Sequence, residues 1–310
     1  MNEGLKVFLA VADERSFTRA ASKLHMTQPA VSQHIRSLEL DLGAHLIERN
    51  NRMIRLTRAG EIVDRHARQI VQTEEQMRRL VHDLASTIFG ALHIGASYSI
   101  GEYILPVMLA DFSKKHPGVD PHIEIGNTHS IASMVASRTL DVGLVEGSYS
   151  PNEVETEVLG ADELILVARN GHPLVRDSFV TIAEAEKECW IVREEGSGTR
   201  EFSDRFLEDH HISPERTMTF SSTQAIKEAV RSGLGISVLS ALTLQMELEL
   251  GVLQQIRLEG LPITRQLFIV TQPSAFQPKV VSAFSDFAKE HFSDLTQTRT
   301  PVHRTSIDET

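Results

Sequence analysis

The chain of 310 residues has one cysteine, one tryptophan and three tyrosines. A lone cysteine cannot form an internal disulfide, which points to a reducing, cytoplasmic setting. Cys189 lies in the apolar stretch Cys189-Trp190-Ile191-Val192, where core packing is the better reading than nucleophilic chemistry. No apolar run approaches the roughly 20 residues that cross a bilayer. The opening Met1-Asn2-Glu3-Gly4 lacks the basic start of a signal peptide, so no membrane partner is expected. The 14 histidines show no metal-ligand spacing, and H-E-x-x-H, C-x-x-C and G-x-S-x-G are all missing. Gly196-Ser197-Gly198-Thr199 lacks the Gly-Lys-Ser/Thr ending of a phosphate loop. No catalytic residue, metal or cofactor is therefore assigned, and the expectation is a protein that is not an enzyme.

A net charge of −11 at first argues against a nucleic-acid partner, but the charge is unevenly spread. Residues 1–90 hold 13 basic and 11 acidic side chains, whereas residues 91–310 hold 18 and 31. A mildly basic head on an acidic body suits a protein in which only the head touches phosphate.

The head has the punctuation of short packed helices. Leu5, Phe8, Leu9 and Ala12 share one helical face, and Ser16 is an N-cap ahead of a helix with Phe17, Ala20, Ala21 and Leu24 at i, i+3, i+4 and i+7. After a tight turn at His25-Met26, Thr27 is a second N-cap, followed by Gln28 and Pro29, the latter favoured in a first helical turn. The helix over 28–42 predicts a buried stripe of Val31, Ile35, Leu38 and Leu42. Its other face opens with Gln28, Ala30, Ser32, Gln33 and Arg36, a mixture that suits base edges in a major groove. The alternative is the solvated face of any three-helix bundle. Gly43 then ends the helix, and two short strands flank an Asn50-Asn51 turn, with Arg49, Arg52, Arg55 and Arg58 spread along them. That is a wing able to grip phosphates beside a helix-turn-helix.

At this point the sequence resembles the LysR-type transcriptional regulators. The residues that carry the resemblance are Phe17-Thr18-Arg19-Ala20-Ala21, Thr27-Gln28-Pro29-Ala30-Val31-Ser32-Gln33, Ile35-Arg36-Ser37-Leu38-Glu39, Leu42-Gly43, Leu46, Arg49, Arg52 and Leu56-Thr57-Arg58-Ala59-Gly60. Ile47 stands where phenylalanine is common in that family. The resemblance implies a winged helix-turn-helix over 1–60 that places Thr27, Gln28, Pro29, Ala30, Ser32, Gln33, Arg36, Arg49, Arg52 and Arg55 near double-stranded operator DNA.

Residues 58–88 read as a linker helix. Val63, Ile70, Met77 and Leu84 recur every seven residues, flanked by Ala67 and Val81, which makes a seam for a partner helix. His66, Thr73 and Glu74 interrupt it, so a helix pair is expected rather than an extended coiled coil. The alternative is a helix packed on its own chain. By resemblance the protein forms a homodimer or homotetramer, and RNA polymerase is a further candidate partner.

From residue 91 onward, short apolar runs alternate with helical periodicity, the mark of an α/β domain with a mainly parallel sheet. This part resembles the two-lobed sensor of the same family, itself similar to periplasmic binding proteins. By resemblance, lobe I takes 91–161 and 267–300, lobe II takes 162–266, the two crossovers form a hinge, and 301–310 is a flexible tail. Ligands of open α/β sheets sit past the carboxyl ends of strands, where helices begin. Ser97-Tyr98-Ser99-Ile100, Thr128 with Ser130, Gly196-Ser197-Gly198-Thr199 and Thr223 occupy such positions, and Glu146 is counted with them. The alternative for each is simple N-capping. Gly95-Ala96-Ser97 with Ile100-Gly101, and the run Arg193 to Glu201, resemble one branch of the family, comprising sulfite-reductase activators and carbon-fixation operon regulators. The branch implies a small anionic effector, a sulfur oxyanion or a phosphorylated metabolite, with sulfite or sulfate placed first. Tyr98 and Ser99 depart in size from its pattern. The rival function is a cytoplasmic small-molecule-binding protein or enzyme of the same two-lobed fold without operator binding.

Overall fold

A computed structural model describes residues 2–50, 53–82, 88–147, 154–273 and 277–299. The chain divides into two compact units, Met1–Ala85 and Ser86–Thr310.

The first unit contains α1 (Asn2–Glu14), α2 (Phe17–Lys23), α3 (Gln28–Leu42), the hairpin β1 (Ile47–Asn50) and β2 (Met53–Leu56), and α4 (Arg58–His82). Its core gathers Leu5, Phe8, Val11, Phe17, Ala20, Ala21, Val31, Ile35, Leu38 and Leu46. The helix starts follow from local chemistry: Ser16 accepts from the Arg19 N–H and Thr27 from the Ala30 N–H, each satisfying an orphan donor of the first turn. Gly43 ends α3 at φ +64°, a left-handed conformation that costs glycine little. Leu42, expected in the buried stripe, is instead 47% exposed, because the last turn of α3 runs past the helices beneath it. Along α4 the expected seam splits. Val63, Ala67 and Val71 pack on the core of their own unit, whereas Ile62, Ile70, Met77 and Val81 are exposed. Leu84 lies outside the described residues.

The second unit opens with β3 (Gly90–Ser97), α5 (Tyr98–Tyr103), α6 (Leu105–Lys115), β4 (Val119–Gly126), α7 (Thr128–Ala136) and β5 (Val142–Glu146). α5 and α6 part at Ile104, because Pro106 in the first turn of α6 has no N–H to continue the ladder. Next come β6 (Glu155–Arg169), α8 (Ile182–Glu186), β7 (Cys189–Arg193), α9 (Gly198–Asp209), β8 (Arg216–Phe220), α10 (Thr223–Arg231) and β9 (Ser237–Ser240). A 3-10 turn (Ala241–Thr243), α11 (Gln245–Glu249), β10 (Leu253–Ile256), β11 (Ile263–Thr271) and α12 (Lys279–Arg299) complete the order. The tail 301–310 lies outside the described residues.

The sheet is less parallel than the βαβ pattern suggests. β4, β3 and β5 are parallel neighbours, as are β7 and β8, but β6 pairs antiparallel with β9, β10 and β11. The departure comes from β6 and β11. They run antiparallel side by side from Glu155/Thr271 to Leu164/Ile263, with an irregularity beside Leu267/Phe268. The chain therefore passes between the two lobes on paired strands rather than loops. One lobe's core centres on Leu92, Ile94, Phe112, Leu144, Phe284 and Phe292, and the other's on Leu166, Trp190, Phe206 and Ile236. On the opposite face of that second lobe, Ile191 and Leu239 pack with Ile226 and Val230 of α10.

Candidate nucleic-acid interface and effector cleft

The N-terminal end of α3 presents Thr27, Gln28, Pro29, Gln33 and Arg36 to solvent, with Ala30 half-buried between them. Ser32 is the exception within that expected face. It is only 9% exposed, and its hydroxyl accepts from the Gln28 side-chain amide at 2.9 Å. The helical turn carries Ser32 inward, where it orients Gln28 while its own hydroxyl proton stays uncommitted among the described residues. Val31, Ile35 and Leu38 on the reverse are fully packed. On the wing, Arg55 is exposed and stands opposite Glu48 in the β1–β2 register. Arg58 is paired with Glu61 at 3.2 Å. Arg49 contributes its backbone to β1, while its side chain and the whole of Arg52 lie outside the described residues. The wing is tied to α3 by Glu39, whose carboxylate accepts the backbone N–H groups of Leu46 and Ile47.

In the second unit, four strands run directly into helices whose N-terminal residues come from both lobes: β3 into α5, β4 into α7, β7 into α9 and β8 into α10. Here Ser97, Ser99, Ile100, Thr128, Glu146, Ser197, Thr199 and Thr223 are all buried, and Tyr98 is half-buried. The lobes meet closely along this line. A Cβ on Gly198 would sit 2.5 Å from the Glu146 carbonyl oxygen, so only glycine lets α9 approach β5 there. The His129 N–H donates to the Gly196 carbonyl at 3.1 Å, and the Arg193 guanidinium lies 4.7 Å over the Tyr98 ring.

The hydroxyls are not equivalent. Ser197 is a helix cap that accepts from the Arg200 N–H, whereas α7 is capped by the Asn127 side chain and the Ser130 hydroxyl donates to the Asn127 carbonyl. Thr128 donates to the Glu146 carbonyl at 3.1 Å. Thr199 and Thr223 each accept from a buried guanidinium, Arg265 at 2.9 Å and Arg193 at 3.2 Å. The Ser97 hydroxyl is buried without a hydrogen-bond partner. Gly196 is exposed. With Ser197 and Gly198 it borders an open pocket of about 280 Å³ that also takes in His129, Arg200 and the carboxylates of Glu195, Glu201 and Asp204.

Sequence reasoning missed the cations. Arg193 and Arg265 are 3% and 1% exposed, and Lys227 is 4% exposed, donating to the Thr243 carbonyl and paired with Glu247 at 2.6 Å. Burial pushes the Asp162 carboxyl up while the Arg265 guanidinium pulls it down, leaving it above the usual carboxylate range. Burial pushes Glu194 up, but the hydrogen bonds and charge of Arg193, with hydrogen bonds from its own backbone and Asn127, together hold it below the usual range. One signal was available in sequence: Arg193 closes the otherwise apolar strand Cys189-Trp190-Ile191-Val192.

A winged helix-turn-helix on one unit and a two-lobed α/β cleft on the other define a class: DNA-binding regulators that answer to a small effector. Comparison with known proteins narrows the class. Residues 3–61 match the description "Bacterial regulatory helix-turn-helix protein, lysR family" and residues 86–293 match "LysR substrate binding domain". The chain belongs to the LysR family of transcriptional regulators. It is 36% identical to the HTH-type transcriptional regulator CysL of Bacillus subtilis, over 93% of this chain and 96% of that protein. It is 35% identical to the RuBisCO operon transcriptional regulator of Allochromatium vinosum, over 91% of this chain and 93% of the relative. Among solved structures, the regulatory domain of CcmR from Synechocystis PCC6803, in complex with 2-PG, superposes with a TM-score of 0.61 at 26% identity. That match covers 65% of this chain and 97% of the CcmR domain. These relatives are named as regulators, and the chain is a DNA-binding transcriptional regulator with an effector-binding domain rather than an enzyme. Among the described residues no helix is long and apolar enough to cross a membrane.

Proposed function

We propose that α3 reads operator DNA with Gln28, Pro29, Ala30, Gln33 and Arg36, that Thr27 and the wing arginines Arg49, Arg52 and Arg55 hold the backbone, and that the cleft between the lobes takes a small oxyanion. The observation that carries the second part is the pairing of buried hydroxyls with buried cations. Thr199 and Thr223 accept from Arg265 and Arg193, and the Ser97 hydroxyl is buried without a hydrogen-bond partner. Such a set favours acceptor-only ligands, as does the N-terminal dipole of α7, α9 and α10. Sulfite and sulfate fit this chemistry, and so does a small phosphorylated acid such as the 2-PG bound by CcmR. The exposed Ile70, Met77 and Val81 of α4, on one seam at i, i+7 and i+11, support pairing with α4 of a second copy.

Mechanistically, an effector that binds one lobe arrangement more tightly than another shifts the population between them. In an oligomer, that shift alters the spacing at which the reading heads meet DNA. The test is a gel shift with the full chain and promoter DNA, with and without sulfite, sulfate, thiosulfate or 2-PG. One of these anions should change the affinity or the footprint. Sequence-specific binding that survives Gln33→Ala with Arg36→Ala would refute the reading-helix assignment. Calorimetry with no heat for any of the anions would refute the oxyanion assignment.

A further inference from the structure

Arg265 is the most deeply buried charge in the second unit, with a side chain at 0% exposure. It sits in β11 directly opposite Asp162 in β6, on the strands that pass between the lobes. Its Nε donates to Asp162 Oδ2 at 2.8 Å, and Nη2 is 2.6 Å from the same oxygen. Asp162 Oδ1 is taken by the Ser240 hydroxyl at 2.9 Å. The remaining arm of the guanidinium crosses to the α9 terminus, where Nη1 donates to Thr199 Oγ1 at 2.9 Å. On the other lobe, Glu146 Oε1 is 3.6 Å from Nη2, an ion-pair contact beyond hydrogen-bonding reach.

The consequence lies in the single proton of the threonine hydroxyl. A guanidinium has five donors and no acceptor, so Thr199 cannot return its proton to Arg265. Among the described residues no protein group accepts that proton. A buried hydroxyl held this way has its proton uncommitted within the protein, and it gains most from a ligand atom with lone pairs only. Thr128 is in the opposite state, its proton already committed to the Glu146 carbonyl. The positive charge of Arg265 also offsets Glu146, which by itself would repel an anion.

Resting on the oxyanion reading of the cleft, we infer that Arg265 is a positioning residue for the effector: it holds Thr199 as an obligate donor toward the ligand and links that donor to Glu146 on the facing lobe. The residue then sets selectivity for fully deprotonated anions without being replaceable by a simple positive charge. Lysine has no planar fork and cannot hold Asp162 and Thr199 together.

The experiment is calorimetry on the full chain with sulfite and, separately, 2-PG as probes, comparing wild type, Thr199→Val, Thr199→Ser, Arg265→Gln, Arg265→Lys and the double variants that combine Thr199→Val with each arginine change. Thr199→Val and Arg265→Gln should each weaken binding about tenfold or more, and Thr199→Ser should retain it. Arg265→Lys should weaken it as well. Once Thr199 is valine, changing Arg265 should cost no more than about a further twofold, because the arginine acts through the hydroxyl. Circular dichroism checks folding, and if Arg265→Gln does not fold, the cycle with Arg265→Lys decides. Multiplicative losses in the double variants, or wild-type affinity in both arginine variants, overturn this inference while leaving the oxyanion reading intact. Failure of both probes to bind the wild type overturns the oxyanion reading, and this inference with it.

Discussion

The Glu39 carboxylate accepts the backbone N–H of Leu46 at 2.7 Å, and that of Ile47 at 3.3 Å, joining the third helix of the DNA-binding unit to the start of its wing. The bond fixes the third helix and the wing relative to one another. Removing an ionised acceptor leaves two half-buried N–H groups seeking water, so Glu39→Ala should destabilise the first unit by about 1.5–3 kcal/mol. Urea unfolding of the full chain, followed by hydrogen exchange at Leu46 and Ile47, checks this. Unchanged protection at those two amides would contradict it.

Arg36 and Arg55 should separate by their salt dependence. Arg36→Ala removes a group placed to reach base edges and should lower specific affinity by about 1–3 kcal/mol while relaxing preference at one base position. Arg55→Ala, which on the proposed reading removes a phosphate contact, should weaken specific and non-specific binding alike. It should also reduce the slope of log affinity against log salt by about one. Fluorescence anisotropy at several salt concentrations distinguishes the two.

The exposed seam on the linker helix predicts an oligomerisation defect. Ile70 and Met77 are 43% and 56% exposed, one heptad apart, and Ile70→Asp with Met77→Asp places charges where a partner helix would pack. Sedimentation should show the variant shifted toward monomer, with secondary structure retained. Wild-type sedimentation behaviour would mean that the seam faces solvent in the assembled protein.

Gly198→Ala should act across the lobes. The added methyl would lie 2.5 Å from the Glu146 carbonyl oxygen and 2.8 Å from its Cβ, and the first of these is backbone that cannot swing aside. The N-terminus of α9 must move away from β5, carrying Thr199 with it. Effector affinity should fall further than thermal stability does. A variant that binds effector as the wild type does would show that the two lobes separate without cost.

The pair Arg176–Glu184 predicts a small acid-dependent term in the stability of the second lobe. Hydrogen bonds from Arg176, and then from the Thr181 backbone and hydroxyl, lower the Glu184 carboxyl to about 2. Because the folded value lies below the ordinary 4.5, the contribution is complete above that pH and disappears as pH falls toward 2. Melting temperatures of wild type and Glu184→Gln should differ at neutral pH and converge at the acid end of that window. A constant difference across the range would assign the effect to packing.

Much of the first unit was legible because its determinants are local. Ser16 and Thr27 cap helices three residues downstream, Gly43 stops α3, and the stripe of Val31, Ile35 and Leu38 repeats at helical spacing. What departed there depended on how the helix sits on the elements beneath it. Leu42 fits the period of the stripe yet has nothing beneath it, and Ser32 turns inward to meet Gln28. The seam of α4 divided because Val63 and Ala67 find partners in their own unit.

By itself, then, the order of residues determined the helix starts, the polar face of α3 and the hydroxyl-rich strand ends, since these arise between residues a few positions apart, whereas the two-lobed class came from resemblance to a family. Which hydroxyls are caps and which are held by cations was decided only by the tertiary structure. Arg265 meets Asp162 across 103 positions and Thr199 across 66, contacts that no local periodicity records. The physical reason is that a charge is stable in a protein interior only where the whole fold brings its counter-charges and hydrogen-bond partners together.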